Sequence, residues 1–139
     1  MATIEVQHYR NRARDFLDGM RVLQDDLDAF GYSSALLGIH GAISYSDALR
    51  AGMGSKRLSS EDHSRATSEL KSLLDSRRFE QQQGVKHFKL LLSCKTRISY
   101  ASETVTKNEI EDIVKRAWRF GDWAEETGKA LKIEGWLDA

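Results

Sequence analysis

Lys95, Arg97 and Tyr100 close an apolar run, Phe88 to Leu92, within the stretch KHFKLLLSCKTRISYASE from Lys86 to Glu103. On a helix, residues three apart share a face, so Arg97 and Tyr100 reach the same region with Lys95 beside them. A guanidinium, an ammonium and a phenol together hold a phosphate or a carboxylate through charge-assisted hydrogen bonds. The structural use of the same residues is an Arg97 pair with an acid such as Glu103 or Glu109, with Tyr100 capping the core and its hydroxyl wet. A second constellation is His40, Ser44 and Asp47, at four- and seven-residue offsets on one helix face. An aspartate near a histidine raises its basicity and fixes its orientation. His63 falls on the apolar stripe of the next helix, and two facing helices would bring both imidazoles near Arg97. The alternative for both is a buried, hydrogen-bonded histidine with no further role.

The four histidines, His8, His40, His63 and His87, also raise a metal reading, since three imidazoles from different helices hold zinc or nickel in DinB-like hydrolase bundles. The chain has one Glu-x-x-His, Glu5 to His8, and lacks the paired pattern of di-iron bundles. The leading expectation is therefore no metal and no cofactor. No glycine-rich phosphate loop, Ser–His–Asp order or cysteine pair offers a competing chemistry.

These residues need elements to position them, and composition limits the choice. A chain of 139 residues with 40% hydrophobic and 30% charged residues reads as one domain over 1–139, long enough for a real core. Twenty-one bases balance 21 acids, so no global field favours nucleic acid. Locally, Arg77 to Arg97 carries six bases against Glu80, which permits a phosphate-facing patch or a solvated helix face. No apolar run approaches a bilayer span, and the N-terminus lacks the apolar stretch of a secretory signal. Cys94 is the single cysteine, so a reduced cytoplasm is the expected setting.

Proline is absent, which permits long helices. Tyr9, Ala13, Phe16, Met20, Leu23, Leu27 and Phe30 alternate in fours and threes, predicting a first helix over Thr3 to Phe30 with Thr3 as N-cap and Gly31 as stop. A second helix is expected from Ser33 or Ser34 to about Ala51, apolar on several faces and hence central. Gly38 and Gly41 would let a neighbour approach it closely. Ser59-Ser60-Glu61-Asp62 predicts the start of a third helix, with His63, Ala66, Leu70 and Leu73 or Leu74 inward. The fourth helix turns Val85, Phe88, Leu91, Leu92 and Ile98 inward. The fifth opens on a capping box, Thr106-Lys-Asn-Glu109, and carries Ile110, Ile113, Ala117, Phe120, Ala124 and Leu131, with Gly128 as an early stop. Trp118 and Trp123 lie off its seam, as a partner surface or a second core layer. Trp136 and Leu137 are expected to clasp the bundle or a second subunit. The fold expected is all-α, an antiparallel up-and-down bundle of about five helices.

Three stretches then carry a resemblance to the HEPN-domain family: IHGAISYSDALRAGMG to its Ala-Leu-Leu helix followed by glycine, EDHSRATSEL to its Ser-His-Ser entry, and KTRISYASETVTKNEIEDIVKRAWRFGDW to its Arg-x-x-Ala-x-Tyr signature and final amphipathic helix. They span roughly Ser34 to Trp123. The resemblance implies a helical bundle, usually homodimeric, found with nucleotidyltransferases, in toxin–antitoxin pairs and as a nucleotide- or RNA-binding module. Ribonuclease members use Arg-x4–6-His, the arginine steadying phosphate and the histidine handling protons. Here no histidine follows Arg97, and Tyr100 stands near its place, so the resemblance is to the non-catalytic branch. Arg57 to His63 has five intervening residues and leaves a ribonuclease as the enzymatic alternative. The expected ligand contacts are thus Arg97, Tyr100, Lys95, His63, His40, Asp47 and Arg57, with no catalytic residue.

Overall fold

The computed structural model describes residues 2–55 and 63–137, and for 2, 63 and 64 the backbone alone. Described residues outside turns and connections are helical, and none forms a strand. Helix α1 runs Ala2–Leu23, a 3-10 turn Gln24–Asp26, α2 Leu27–Gly52, α3 His63–Ser76, α4 Gln83–Tyr100 and α5 Lys107–Ala130. Among these described residues, no helix is long and apolar enough to cross a membrane.

The first expected helix is divided. Thr3 lies inside α1 and is not its N-cap, and the chain leaves α-geometry at Gln24-Asp25-Asp26. Short acidic side chains compete with the helix for its backbone, and Asp26 caps α2 by accepting from the Ala29 N–H at 3.2 Å. So α2 begins at Leu27, ahead of Ser33, and Gly31 stops nothing; it is buried inside α2 just past Phe30, where φ −123° and ψ 28° mark a kink. The buried stripe of α1 is also rotated from the expected seam. It reads Val6, Arg10, Ala13, Leu17 and Met20, while Tyr9 and Phe16 are half-buried and Phe30 is exposed. Both stripes have helical spacing, and they share Ala13 and Met20. The choice between them hangs on Arg10, a charge that takes a core position because it is paired there.

Helix α2 is the axis of the core, as its several apolar faces imply, and it packs on α1, α3, α4 and α5. A Cβ at Gly38 would stand 2.8 Å from both the Ala117 Cβ on α5 and the Met20 Sδ on α1. At Gly41 it would meet Leu17 Cδ2 at 2.8 Å. These positions set how closely the neighbours approach. Ala66, Leu70 and Leu74 face inward from α3, and Phe88, Leu91 and Ile98 from α4. Val85 and Leu92, also expected inward, are half-buried, and Leu90 within the apolar run is 43% exposed. A helix cannot bury five consecutive residues against one neighbour.

Helix α5 starts as expected. Thr106 Oγ1 accepts from the Glu109 N–H, and Glu109 accepts in turn from the Thr106 N–H. Its end is not at Gly128. The Ile133 N–H reaches the Gly128 carbonyl at 3.1 Å and the Lys132 N–H reaches Lys129 at 3.0 Å, a Schellman closure with Lys132 at φ 54° where glycine is usual. Gly128 serves another purpose, because a Cβ there would lie 2.0 Å from the Trp136 ring. Trp136 is the clasp on this chain's own bundle, 1% exposed, whereas Leu137 is 62% exposed. Arg78, at φ 55°, closes α3 in the same way, so the polar stretch after Arg77 is a defined turn. Trp123 is buried beside Phe120, its indole N–H donating to the Gln81 carbonyl at 2.7 Å. Trp118, half-buried, donates to Gln24 at 2.7 Å. Both therefore tie α5 to its neighbours. The Ser59-Ser60-Glu61-Asp62 cap lies outside the described residues.

Two effects oppose each other at Gly38. Alanine is favoured over glycine in a helix by about 1 kcal/mol, but Ala117 carries its Cβ on backbone that cannot swing aside. Gly38→Ala is expected to destabilise by about 1–3 kcal/mol in urea unfolding, as overpacking does. Gly41→Ala, facing a leucine end that can rotate, should lie closer to wild type in the same measurement.

Candidate functional site

A cleft of about 520 Å³ opens between the N-terminal half of α2 and the C-terminal half of α4. Tyr32, Leu36 and His40 line it from α2, and Lys95, Ile98 and Tyr100 from α4. The one-turn spacing of Leu36 and His40 puts both on the same side of α2. The same rule aligns Lys95 with Ile98 on α4. Ile98 is buried and forms apolar floor, Lys95 and His40 are half-buried, and Tyr100 is 84% exposed. The His40 ring sits 5.8 Å from the ring of Phe16 on α1. Tyr32 accepts the Val105 N–H at 2.9 Å, which fixes its ring and pins the α4–α5 connection beside the cleft. Three of the residues singled out from sequence, His40, Lys95 and Tyr100, thus come together. The fourth polar wall, Tyr32, was hidden because α2 was expected to begin after it.

Arg97 does not line this cleft. Its Nε and Nη2 donate to Glu109 at 3.0 and 3.1 Å, a bidentate pair on the α5 side. The hydrogen bonds to Glu109 raise the guanidinium pKa, and those from Arg97 lower that of Glu109. Glu109 is also the capping-box acid, so one carboxylate joins the end of α4 to the start of α5. The structural use of Arg97 foreseen from sequence is the one realised. Tyr100 does not cap the core.

Asp47 is likewise elsewhere. Seven residues separate it from His40, about 10 Å along the axis, and it pairs with Arg50. Arg50 is 5% exposed and forks between Asp47, the Ser46 hydroxyl at 3.1 Å and Glu69 of α3 at 3.0 Å. Ser55 donates to the same Glu69 at 2.7 Å. Ser44, on the expected histidine face, is buried. Arg57 lies outside the described residues, as does the side chain of His63. The expected convergence of His63 with His40 near Arg97, and the Arg57–His63 pair, are therefore not part of the described geometry. Among the described residues, no three His, Cys, Asp or Glu side chains come close enough to hold a metal ion.

A second buried charge cluster escaped the sequence reading. Arg10 donates to both oxygens of Glu125, at 2.9 to 3.2 Å, and the Tyr45 hydroxyl donates to Glu125 at 2.7 Å. The Arg10 guanidinium lies 5.5 Å from the centre of the Trp136 ring. Burial works to raise the Glu125 pKa, but the hydrogen bonds from Arg10 and Tyr45 outweigh it and hold it low. Burial also drives the Tyr45 hydroxyl well above its ordinary range. No water-facing proton chemistry follows from groups so tied, and the cluster joins α1, α2 and α5. The signal for it was an arginine standing on an apolar stripe.

Comparison with protein-family models, curated proteins and solved structures finds no match to this chain.

Burial, opposed by Arg50, pushes the Asp47 carboxyl up to about 6 from 3.8. The folded state then holds the proton more tightly than the unfolded state. The contribution is fully present below about 3.8 and is lost as pH rises through about 6. Comparing the pH dependence of unfolding free energy in wild type and Asp47→Asn isolates this term. The wild type should lose stability relative to the variant across that window, on the order of 1 kcal/mol per pH unit at the steepest.

Proposed function

We propose that this chain is a HEPN-like module, an antiparallel up-and-down bundle of about five helices that binds nucleotide or RNA phosphate without cleaving it. The observation that carries this reading is the α2–α4 cleft, which gathers an ammonium, an imidazole and two tyrosine rings. Lys95 supplies the charge for a phosphate oxygen. Tyr100, with most of its surface in solvent, offers a face on which a base stacks, a contact worth about 1–3 kcal/mol. His40 lies at the inner wall and adds a polar contact to the bound ligand. Arg97, on the adjoining face, adds to the local positive field while its geometry stays with Glu109. The sequence resemblance supports the same class of ligand, a homodimer, and a nucleotidyltransferase or antitoxin as partner in the cytoplasm. The absence of a histidine after Arg97 supports a regulatory role over a catalytic one.

Fluorescence anisotropy with a labelled single-stranded RNA tests the reading. Lys95→Ala and Tyr100→Ala should each weaken binding about tenfold, the loss expected for one charge-assisted contact or one stacked base. Arg97→Ala should weaken it less and leave the helical signal intact. Unchanged affinity in both Lys95→Ala and Tyr100→Ala removes the cleft as the site. Light scattering on the purified protein should give the mass of a dimer, and a monomer across the accessible concentration range rejects that part of the proposal.

A further inference from the structure

A second opening lies on the other side of α4, against α5. This groove, about 710 Å³, has Phe79 and Trp123 as apolar wall, with His87, Arg119, Asp122 and Glu126 among its polar lining. His87 and Arg119 bring positive character and a donor to one part of it. The Arg116 Nη1 lies 3.4 Å from the His87 Nδ1. Arginine can only donate, so Nδ1 accepts and Nε2 carries the ring N–H. Arg116 is itself steadied by Asp112, whose carboxylate accepts from Nε at 2.8 Å. Arg119 makes no ion pair among the described residues. Burial and the two arginines, opposed by Asp112, depress the His87 pKa, which favours the neutral imidazole.

The charges further along the groove narrow the ligand. Asp122 and Glu126 follow Arg119 on α5 and line the same groove. Arg119 and Glu126 are two turns apart, about 10 Å along the axis. A polyanion tracking this face would meet both carboxylates and be repelled. A small molecule with one anionic end and hydrogen-bond donors at the other matches the sequence of charges. The wall between the two ends is aromatic, and Trp123 is held in place by its N–H bond to Gln81 and by the backbone of Gly84, where a Cβ would lie 2.1 Å from the ring.

We propose that this groove binds a small organic anion, of the nucleoside monophosphate class, with its phosphate at Arg119 and His87, its ring against Phe79 and Trp123, and its amino group toward Asp122 and Glu126. The site is separate from the Lys95 cleft and does not depend on that cleft binding anything. Arg119 and His87 donate to the phosphate, and Arg116 positions His87 by donating to its Nδ1 and so fixing its tautomer.

Titration of the full chain with adenosine monophosphate, followed by NMR of the His87 ring and the Trp123 indole N–H, tests it. Saturable shifts of both signals are expected, with binding about tenfold weaker in Arg119→Ala, the loss of one charge-assisted hydrogen bond. Arg119 is exposed, and the unperturbed indole signal of Trp136 checks that the variant is folded. Inorganic phosphate should bind more weakly than the nucleotide, and equal affinity overturns the assignment of the aromatic wall. No saturable shift at His87 overturns the site. A shift that survives Arg119→Ala and disappears in Lys95→Ala also overturns it, placing the anion in the other cleft.

Discussion

Everything in this fold depends on how closely α1 and α5 can approach α2. Gly38 faces Ala117 and Met20 at distances where even a methyl group has no room, and Gly41 faces Leu17, whose end would have to turn aside for one. Because α1 and α5 lie so near, Arg10 on one and Glu125 on the other can meet beneath Tyr45 of α2. A wider spacing would leave both charges in water or, worse, buried apart. Removing one partner of such a pair costs several kcal/mol because the other stays desolvated. Small residues in α2 and the charges on its neighbours are therefore one constraint, met together.

The same approach seals the C-terminal end. Gly128 lets the Trp136 ring lie against α5, where it also meets the Arg10 guanidinium and the Tyr45 ring. A tryptophan that reads as a surface clasp becomes one of the most buried side chains, at 1% exposure. Its N–H finds no acceptor among the described residues, and its docking rests on apolar burial and on the Arg10 cation. Near the same end of α2, Arg50 repeats the device: its guanidinium and the Ser55 hydroxyl both donate to Glu69 of α3. Both hubs are arginines, whose forked donors satisfy several acceptors at once.

With the core held this way, the cleft and the groove both border α4. The cleft toward α2 receives Lys95 and Tyr100, and the groove toward α5 receives His87. His87 and Lys95 are eight residues apart, about 12 Å along α4 and about 80° around it, and they border different neighbours. Arg97, between these faces, is taken up by the acid that caps α5. One helix thus supplies candidate contacts on two sides, and its own Phe88 and Leu91 fill the core between them.

Sequence by itself determined the helical class, the capping box at Thr106, the central place of α2 and its two close-packing glycines, because these depend on local backbone chemistry and on periodicity. It also brought His40, Lys95 and Tyr100 forward as candidates. Only the tertiary structure decided which of two overlapping stripes on α1 is buried, since that choice rests on Glu125, 115 residues away from Arg10. It likewise sent Arg97 to Glu109 and Asp47 to Arg50, away from the cleft. Charged side chains are long and find partners by proximity in space. Spacing along the chain orders the residues on a helix, but the partner across the interface decides which of them remain at a site.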